Sequence, residues 1–139
     1  MEILERLKNL SQPVPNPPPL PTAMDVKNAE EKLVVKFPPS YVKYQLDYSN
    51  LFFGTFEPYQ LFEDGSYADL INSVKEARES GLPNHLLPFL EDNGDYFCFD
   101  LTSTPPEYEI KFWSHNGTSN EKWVNFLEWV EKCWIDEHV

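Results

Sequence analysis

The sequence predicts an α+β domain in which a mainly antiparallel sheet of about five to six strands packs against α-helices. Three observations predict it. Cap signatures followed by apolar residues at helical spacing recur near the start, in the middle and near the end of the chain. Short aromatic, β-prone runs fill the space between them, and two of these runs are joined by Asn93-Gly94, residues that both tolerate the positive φ of a tight hairpin turn. A length of 139 residues suits one domain with one core, and ten Phe, seven Tyr and four Trp supply the bulk to fill it.

The elements follow in order. Ile3, Leu4, Leu7 and Leu10 give Met1 to Leu10 the spacing of a short amphipathic helix. Pro13, Pro15, Pro17, Pro18, Pro19 and Pro21 then forbid a helix and impose an extended connector. That connector reads as a stiff strap laying the first helix on the domain, or alternatively as a ligand for an aromatic groove on a partner. Residues 1–21 are therefore helix and strap, and residues 22–139 the domain proper. Thr22 with Asp25 opens a helix over about 23–35, carrying Val26, Ala29 and Leu33 on one face. Phe37-Pro38-Pro39 stops it, Ser40 caps the next, and Tyr41, Tyr44 and Tyr48 mark its buried face. Leu51 to Phe56 and Tyr59 to Phe62 read as short strands about a Glu57-Pro58 turn.

Ser66 with Asp69 repeats the cap signature for a helix over about 67–80, with Leu70, Val74 and Ala77 inward and Gly81 at its left-handed end. Leu86 to Leu90 and Tyr96 to Leu101 form the hairpin, and Thr102 to Pro106 a loop. The strand Tyr108 to Trp113 puts Tyr108, Ile110 and Phe112 on one face and Glu109, Lys111 and Trp113 on the other. Ser114 to Ser119 reads as a polar loop. Thr118 with Glu121 then opens a closing helix whose apolar stripe is Trp123, Phe126, Leu127, Val130 and Trp134.

Composition narrows the function. Residues 1–43 hold five acids and six bases, while residues 44–139 hold eighteen acids and five bases, so charges of +1 and −13 make up the net −12. Such a surface repels phosphate backbones and attracts basic proteins, so a nucleic-acid partner is not expected. No apolar run approaches the length that spans a bilayer, and acids at Glu2 and Glu5 do not suit a signal peptide, so the chain reads as cytosolic and without a membrane partner. Cys98 and Cys133 fall in apolar patterns and read as buried free thiols.

His85, His115 and His138 show no metal-ligand spacing, and Glu91 to Asp95 lacks the register of a calcium loop. Neither a phosphate-cradling glycine loop nor a nucleophile elbow is present, so no cofactor, metal or catalytic residue is assigned. A paired Asp95 and Asp100 would do acid/base work only inside a pocket that shifts their pKa values. The densest charge signal is Glu91, Asp92, Asp95, Asp100, Glu107 and Glu109, with no base among them and with Tyr96, Phe97, Phe99 and Tyr108 interleaved. This alternation suits a sheet with one face in the core and the other, with the hairpin tip, offering acid to a basic protein; an ordinary charged sheet edge has the same composition.

The hairpin from Leu87 to Asp100, the run Ile110-Lys111-Phe112-Trp113-Ser114-His115 and the helix around Phe126-Leu127-Glu128-Trp129-Val130 resemble the SUKH superfamily. So do Ala29-Glu30 with Leu33 and the step Phe37-Pro38-Pro39-Ser40-Tyr41, where Phe37 stands for the usual Leu. Asp47 to Leu51 lacks the Asn-Gly-Gly that often ends the second helix of that superfamily. The likeness covers about residues 23–135. It implies an antidote that binds and blocks a cognate bacterial toxin, a nuclease or deaminase with a basic face, and implies no enzyme activity. Glu91, Asp92, Asp95 and Asp100 would then meet Lys and Arg of the toxin, with Tyr96 or Trp113 as anchor. The other reading is a regulatory or scaffolding module, as in the superfamily's fungal cell-wall regulators. Nothing in the sequence fixes an oligomeric state.

Overall fold

A computed structural model of the chain describes residues 2–61 and 69–139. The elements are α1 (Ile3–Leu10), α2 (Ala23–Leu33), α3 (Pro39–Tyr48), α4 (Leu70–Glu79), β1 (Leu86–Asp92), β2 (Asp95–Asp100), β3 (Glu109–Ser114), β4 (Gly117–Trp123) and α5 (Phe126–Trp129). A π-helical turn, Val130–Ile135, and a last turn α6, Asp136–His138, continue α5. The four strands form one antiparallel meander in the order β1-β2-β3-β4. The α+β class is as predicted, and the sheet has fewer strands than expected.

Two differences account for the count. Leu51 to Phe56 and Tyr59 to Leu61 do not join the sheet; among the described residues they make only isolated bridges, Phe53 with Phe56 and Gln60 with Asp69. Their aromatic rings are used against helices instead, Phe56 lying flat on Trp129 with centroids 5.9 Å apart. Phe62 and Ser66 lie outside the described residues, and Asp69, not Ser66, caps α4, its carboxylate accepting the Asn72 N–H. Conversely, the polar run after Ser114 is a strand and not a helix start. It pairs with β3 through Ile110 opposite Trp123 and Lys111 opposite Lys122. An edge strand facing solvent carries polar residues, and here their spacing coincides with a capping box. The helix begins at Phe126, where Asn125 accepts the Glu128 N–H.

The main core lies between one sheet face and the helices. Tyr41 is its centre, with ring contacts to Phe37, Phe89, Phe99 and Phe126 between 5.1 and 6.2 Å. Phe37 is buried edge-on against Tyr41 and fills the place of the usual Leu. α3 ends on Ser49 with a right-handed φ of −72°, so no glycine is needed there. Leu4 and Leu7 of α1 are fully buried in this same core, and α1 packs on α3 and the π-helical turn. The strap is fixed by Asn50 Nδ2 donating to the Pro18 carbonyl and by the Gln12 N–H donating to the Phe52 carbonyl.

α4 reaches round the β1 side of the sheet. Leu70 and Val74 enter the main core, while Ala77 joins Leu82, Leu86, Tyr96 and Cys98 in a second cluster with Trp113 packed against it. Gly81 carries the predicted positive φ, +114°. There the Leu82 N–H reaches the Ala77 carbonyl and the Gly81 N–H the Arg78 carbonyl, the double bond pattern of a Schellman cap. Among the described residues no helix is long and apolar enough to cross a membrane.

Candidate functional site

The hairpin closes as the sequence predicts. Asn93 and Gly94 have φ of +53° and +87°, and Asp92 stands opposite Asp95 across the turn, with Glu91 opposite Tyr96. Like charges directly opposed across two strands cost stability. Among the described residues no ion pair reaches Glu91, Asp92 or Asp95. Asp95 accepts one backbone bond, from the His115 N–H at 3.3 Å. The tip thus holds Asp92 and Asp95 opposed across a two-residue turn, with Glu91 one pair further in, and no ion pair among the described residues compensates them.

Behind the tip, Tyr96 pairs in register with Trp113, their rings 6.1 Å apart, and His115 stands edge-on to Trp113 at 4.7 Å. Tyr96 is buried under α4 and Gly81 to Leu82, so of the two proposed anchors Trp113, half-buried, is the one a partner can reach. Burial raises the Tyr96 phenol above its usual pKa, with Glu91 adding to the effect. Glu91 also borders a cleft of about 190 Å³ with Thr55, Glu57 and Tyr59. Sequence reading took Glu57 only as part of a turn. The positioning bond, Tyr59 N–H to the Phe89 carbonyl at 2.9 Å, has no sequence signature.

Asp100 belongs elsewhere. It is 2% exposed, and its carboxylate accepts bonds from the Thr102 N–H at 2.9 Å, the Thr102 hydroxyl at 2.6 Å and the Lys111 ammonium. Burial by itself would raise its pKa, but the bonds from Lys111 and Thr102 outweigh burial and hold the carboxyl below the usual range. The expectation that Asp100 faces a partner is therefore replaced by an internal role. Two further acids of the run have partners within the chain, in less buried settings. Glu107 accepts the Ser40 N–H at 3.2 Å and the Ser40 hydroxyl, so Glu107 and not the Ser40 side chain caps α3. Glu109 lies 3.9 Å from Lys122.

These pairings form a pattern. Asp100 sits opposite Glu109, and Lys111 opposite Lys122, so each like-charge pair is relieved along a diagonal, Asp100 to Lys111 and Glu109 to Lys122. The second sheet face is therefore covered by α4 at one end and self-neutralised at the other. It does not offer unpaired acid, as the alternation suggested. Of the acids in this run, Glu91, Asp92 and Asp95 at the tip are the ones that no ion pair reaches among the described residues. Among the described residues no group of three or more His, Cys, Asp or Glu is placed to hold a metal ion. Cys98 and Cys133 are free and buried, and burial pushes both thiols up.

A four-stranded antiparallel meander packed on helices defines the class as an α+β domain. The family model SUKH_5, described as SMI1-KNR4 cell-wall, matches residues 1–135, and the chain belongs to that family. The match takes in α1 and the strap. The SUKH family includes immunity proteins, and members interact with protein toxins. Among solved structures, the chain is similar to one titled as the crystal structure of a protein from Pseudomonas syringae pv. tomato. The identity is 25%, the TM-score 0.83, and 96% of this chain and 97% of that one are covered. A comparison with curated proteins gives no match.

Proposed function

We propose that this chain is an immunity protein that binds and neutralises a cognate bacterial toxin, a nuclease or deaminase with a basic face, and that it acts in the cytoplasm without catalysis. Glu91, Asp92 and Asp95 meet Lys and Arg of the toxin, Trp113 with Tyr96 behind it supplies the aromatic support, and Asp100 holds Lys111 in place from within. The observation that carries the reading is the hairpin tip. Three carboxylates, two of them opposed across the turn and the third one pair further in, have no ion-pair partner among the described residues, and a basic partner would supply the missing charge. Occluding a substrate-binding face is enough to block an enzyme that must hold a phosphate backbone.

The test is affinity capture from the native host at low and at high salt, using wild type and the triple variant Glu91→Gln, Asp92→Asn, Asp95→Asn. Wild type should retain a basic toxin domain, weaken with salt and protect cells that express that domain; the variant should do none of these. Undiminished capture and protection by the variant would refute the reading. The cell-wall description of the matching family favours a second possibility, a regulatory module with an endogenous, non-toxic partner. Capture of such a partner through the same tip would select it.

A further inference from the structure

β4 is longer than its pairing with β3 requires. Trp113 stands opposite Thr118 and Lys111 opposite Lys122, so residues 119–121 of β4 face the single residue Phe112 and bow out of the ladder. Extra residues in a strand re-aim its side chains and recur beside binding sites. Here the bow is braced from within: the Ser119 hydroxyl donates to Glu121 Oε1 at 3.2 Å and accepts the Glu121 N–H at 2.9 Å. Between the bow, Lys111 to Trp113 and His85 lies a cleft of about 390 Å³, open to solvent.

The cleft combines an aromatic wall with polar groups whose bonds are unspent. Tyr96, tilted at 6.1 Å, and His115, edge-on at 4.7 Å, cover part of the Trp113 indole, and the half-buried remainder borders the cleft. Among the described residues neither the indole N–H nor the side-chain amide of exposed Asn120 has a hydrogen-bond partner. The charges, by contrast, are answered. Asp100 holds Lys111, Glu109 stands 3.9 Å from Lys122, and Glu121 is tied to Ser119. An anion brought here meets Glu121 and a cation meets Lys111 and Lys122, so neither sign of charge is favoured. What fits is a neutral molecule with an apolar face to lie on an indole and hydroxyls to bond amide, ammonium and carboxylate.

We infer that the cleft beside the β4 bow binds one pyranose ring of a neutral sugar. A pyranose with equatorial hydroxyls, as in β-glucose, presents a face of C–H bonds to Trp113 and a rim of hydroxyls to the indole N–H, Asn120 and Glu121. Each hydroxyl both donates and accepts, which suits an amide set between ammonium and carboxylate groups. The site goes beyond the toxin-binding reading and stands whether or not the tip binds a toxin: Glu91, Asp92 and Asp95 do not border the cleft, and Trp113 alone is common to both.

The experiment is a 15N-resolved NMR titration of the full chain, without toxin, with methyl β-glucoside and with its carboxylate counterpart, methyl β-glucuronide. The glucoside should move the Trp113 indole N–H and the Asn120 side-chain amide saturably, with a Kd of the order of 1 mM, and the glucuronide should bind more weakly. Asn120→Ala, at an exposed position, should weaken the glucoside about five-fold, the worth of one hydrogen bond. Trp113→Leu should abolish the saturable shift at Asn120; if that variant does not fold, the indole shift and Asn120→Ala still decide. The variant Glu91→Gln, Asp92→Asn, Asp95→Asn should bind the glucoside as wild type does, which keeps this result independent of the toxin-binding reading. No saturable shift at these two side chains, a glucuronide bound as tightly as the glucoside, unchanged affinity in Asn120→Ala, or loss of binding in the tip variant overturns the inference.

Discussion

Asp100→Asn separates an internal role from a contact role. The substitution keeps the side-chain shape, and the amide oxygen can retain both Thr102 bonds, now made at 2.9 and 2.6 Å. The amide nitrogen then faces the Lys111 ammonium, donor against donor, in a site only 2% exposed. A hydrogen bond to a charged group contributes about 1.5–3 kcal/mol. Lys111 is 41% exposed along its side chain and regains water when released, which lowers that figure. Adding the cost of the unsatisfied amide gives a destabilisation of about 2 kcal/mol at neutral pH. The pH dependence has a definite sign. The carboxyl pKa is depressed in the fold, so its contribution is complete above the unfolded value of about 3.9 and is lost as pH falls through the lower folded value. Urea unfolding followed by tryptophan fluorescence should show a constant gap between wild type and variant from pH 7 down to about pH 4, narrowing below it. Equal stability at pH 7, combined with weakened capture of a basic partner, would refute the internal role and return Asp100 to the contact surface.

Other outcomes follow from the same geometry. Glu91→Gln with Asp92→Asn should leave stability within about 0.5 kcal/mol while slowing association with a basic partner about ten-fold at low salt, the rates converging as salt is added; stopped-flow rates with no such convergence would contradict this. Gly54 has φ +64°, and a Cβ there would lie 2.4 Å from His138 Cδ2. His138 is held by the Trp134 carbonyl at 2.7 Å and Thr55 at 3.1 Å. Gly54→Ala should therefore cost about 3 kcal/mol, from left-handed strain and loss of the imidazole contacts. In a cycle with His138→Ala about half of that should be non-additive, and full additivity would dismiss the clash. Val34 is β-branched, 89% exposed and left-handed at φ +53°, so Val34→Gly should stabilise by about 0.5–1 kcal/mol in the same urea assay.

Much of this architecture was legible in the residues because it is local. The Thr22 and Asp25 box forms as predicted, Asn93-Gly94 makes the turn, and Tyr41, Tyr44 and Tyr48 share the buried face of α3. The closing helix was placed but its face was not. A π-helical turn from Val130 to Ile135 shifts the phase, so fully buried Trp129 replaces half-exposed Leu127 in the stripe. The candidate site was half legible. Charge marked Glu91 to Glu109, yet which carboxylates find partners within the chain depends on Lys111, Lys122 and Ser40, whose proximity comes from strand register and a loop crossing to α3. Such pairings carry no signature along the chain. The same holds for the left-handed Gly54, whose need is set by a ring 84 residues further on.

The docking of α1 on the π-helical turn ties residues near position 4 to residues near position 134. Leu4 and Leu7 can meet α3 as soon as it forms, but their burial is completed only when the π-helical turn closes over them, so the two ends of the chain share one core. Arg6, within 3.8 Å of Glu131 and Asp136, latches the join. A chain ending before Phe126 would hold all four strands but lack the helical segment that closes the core over α1.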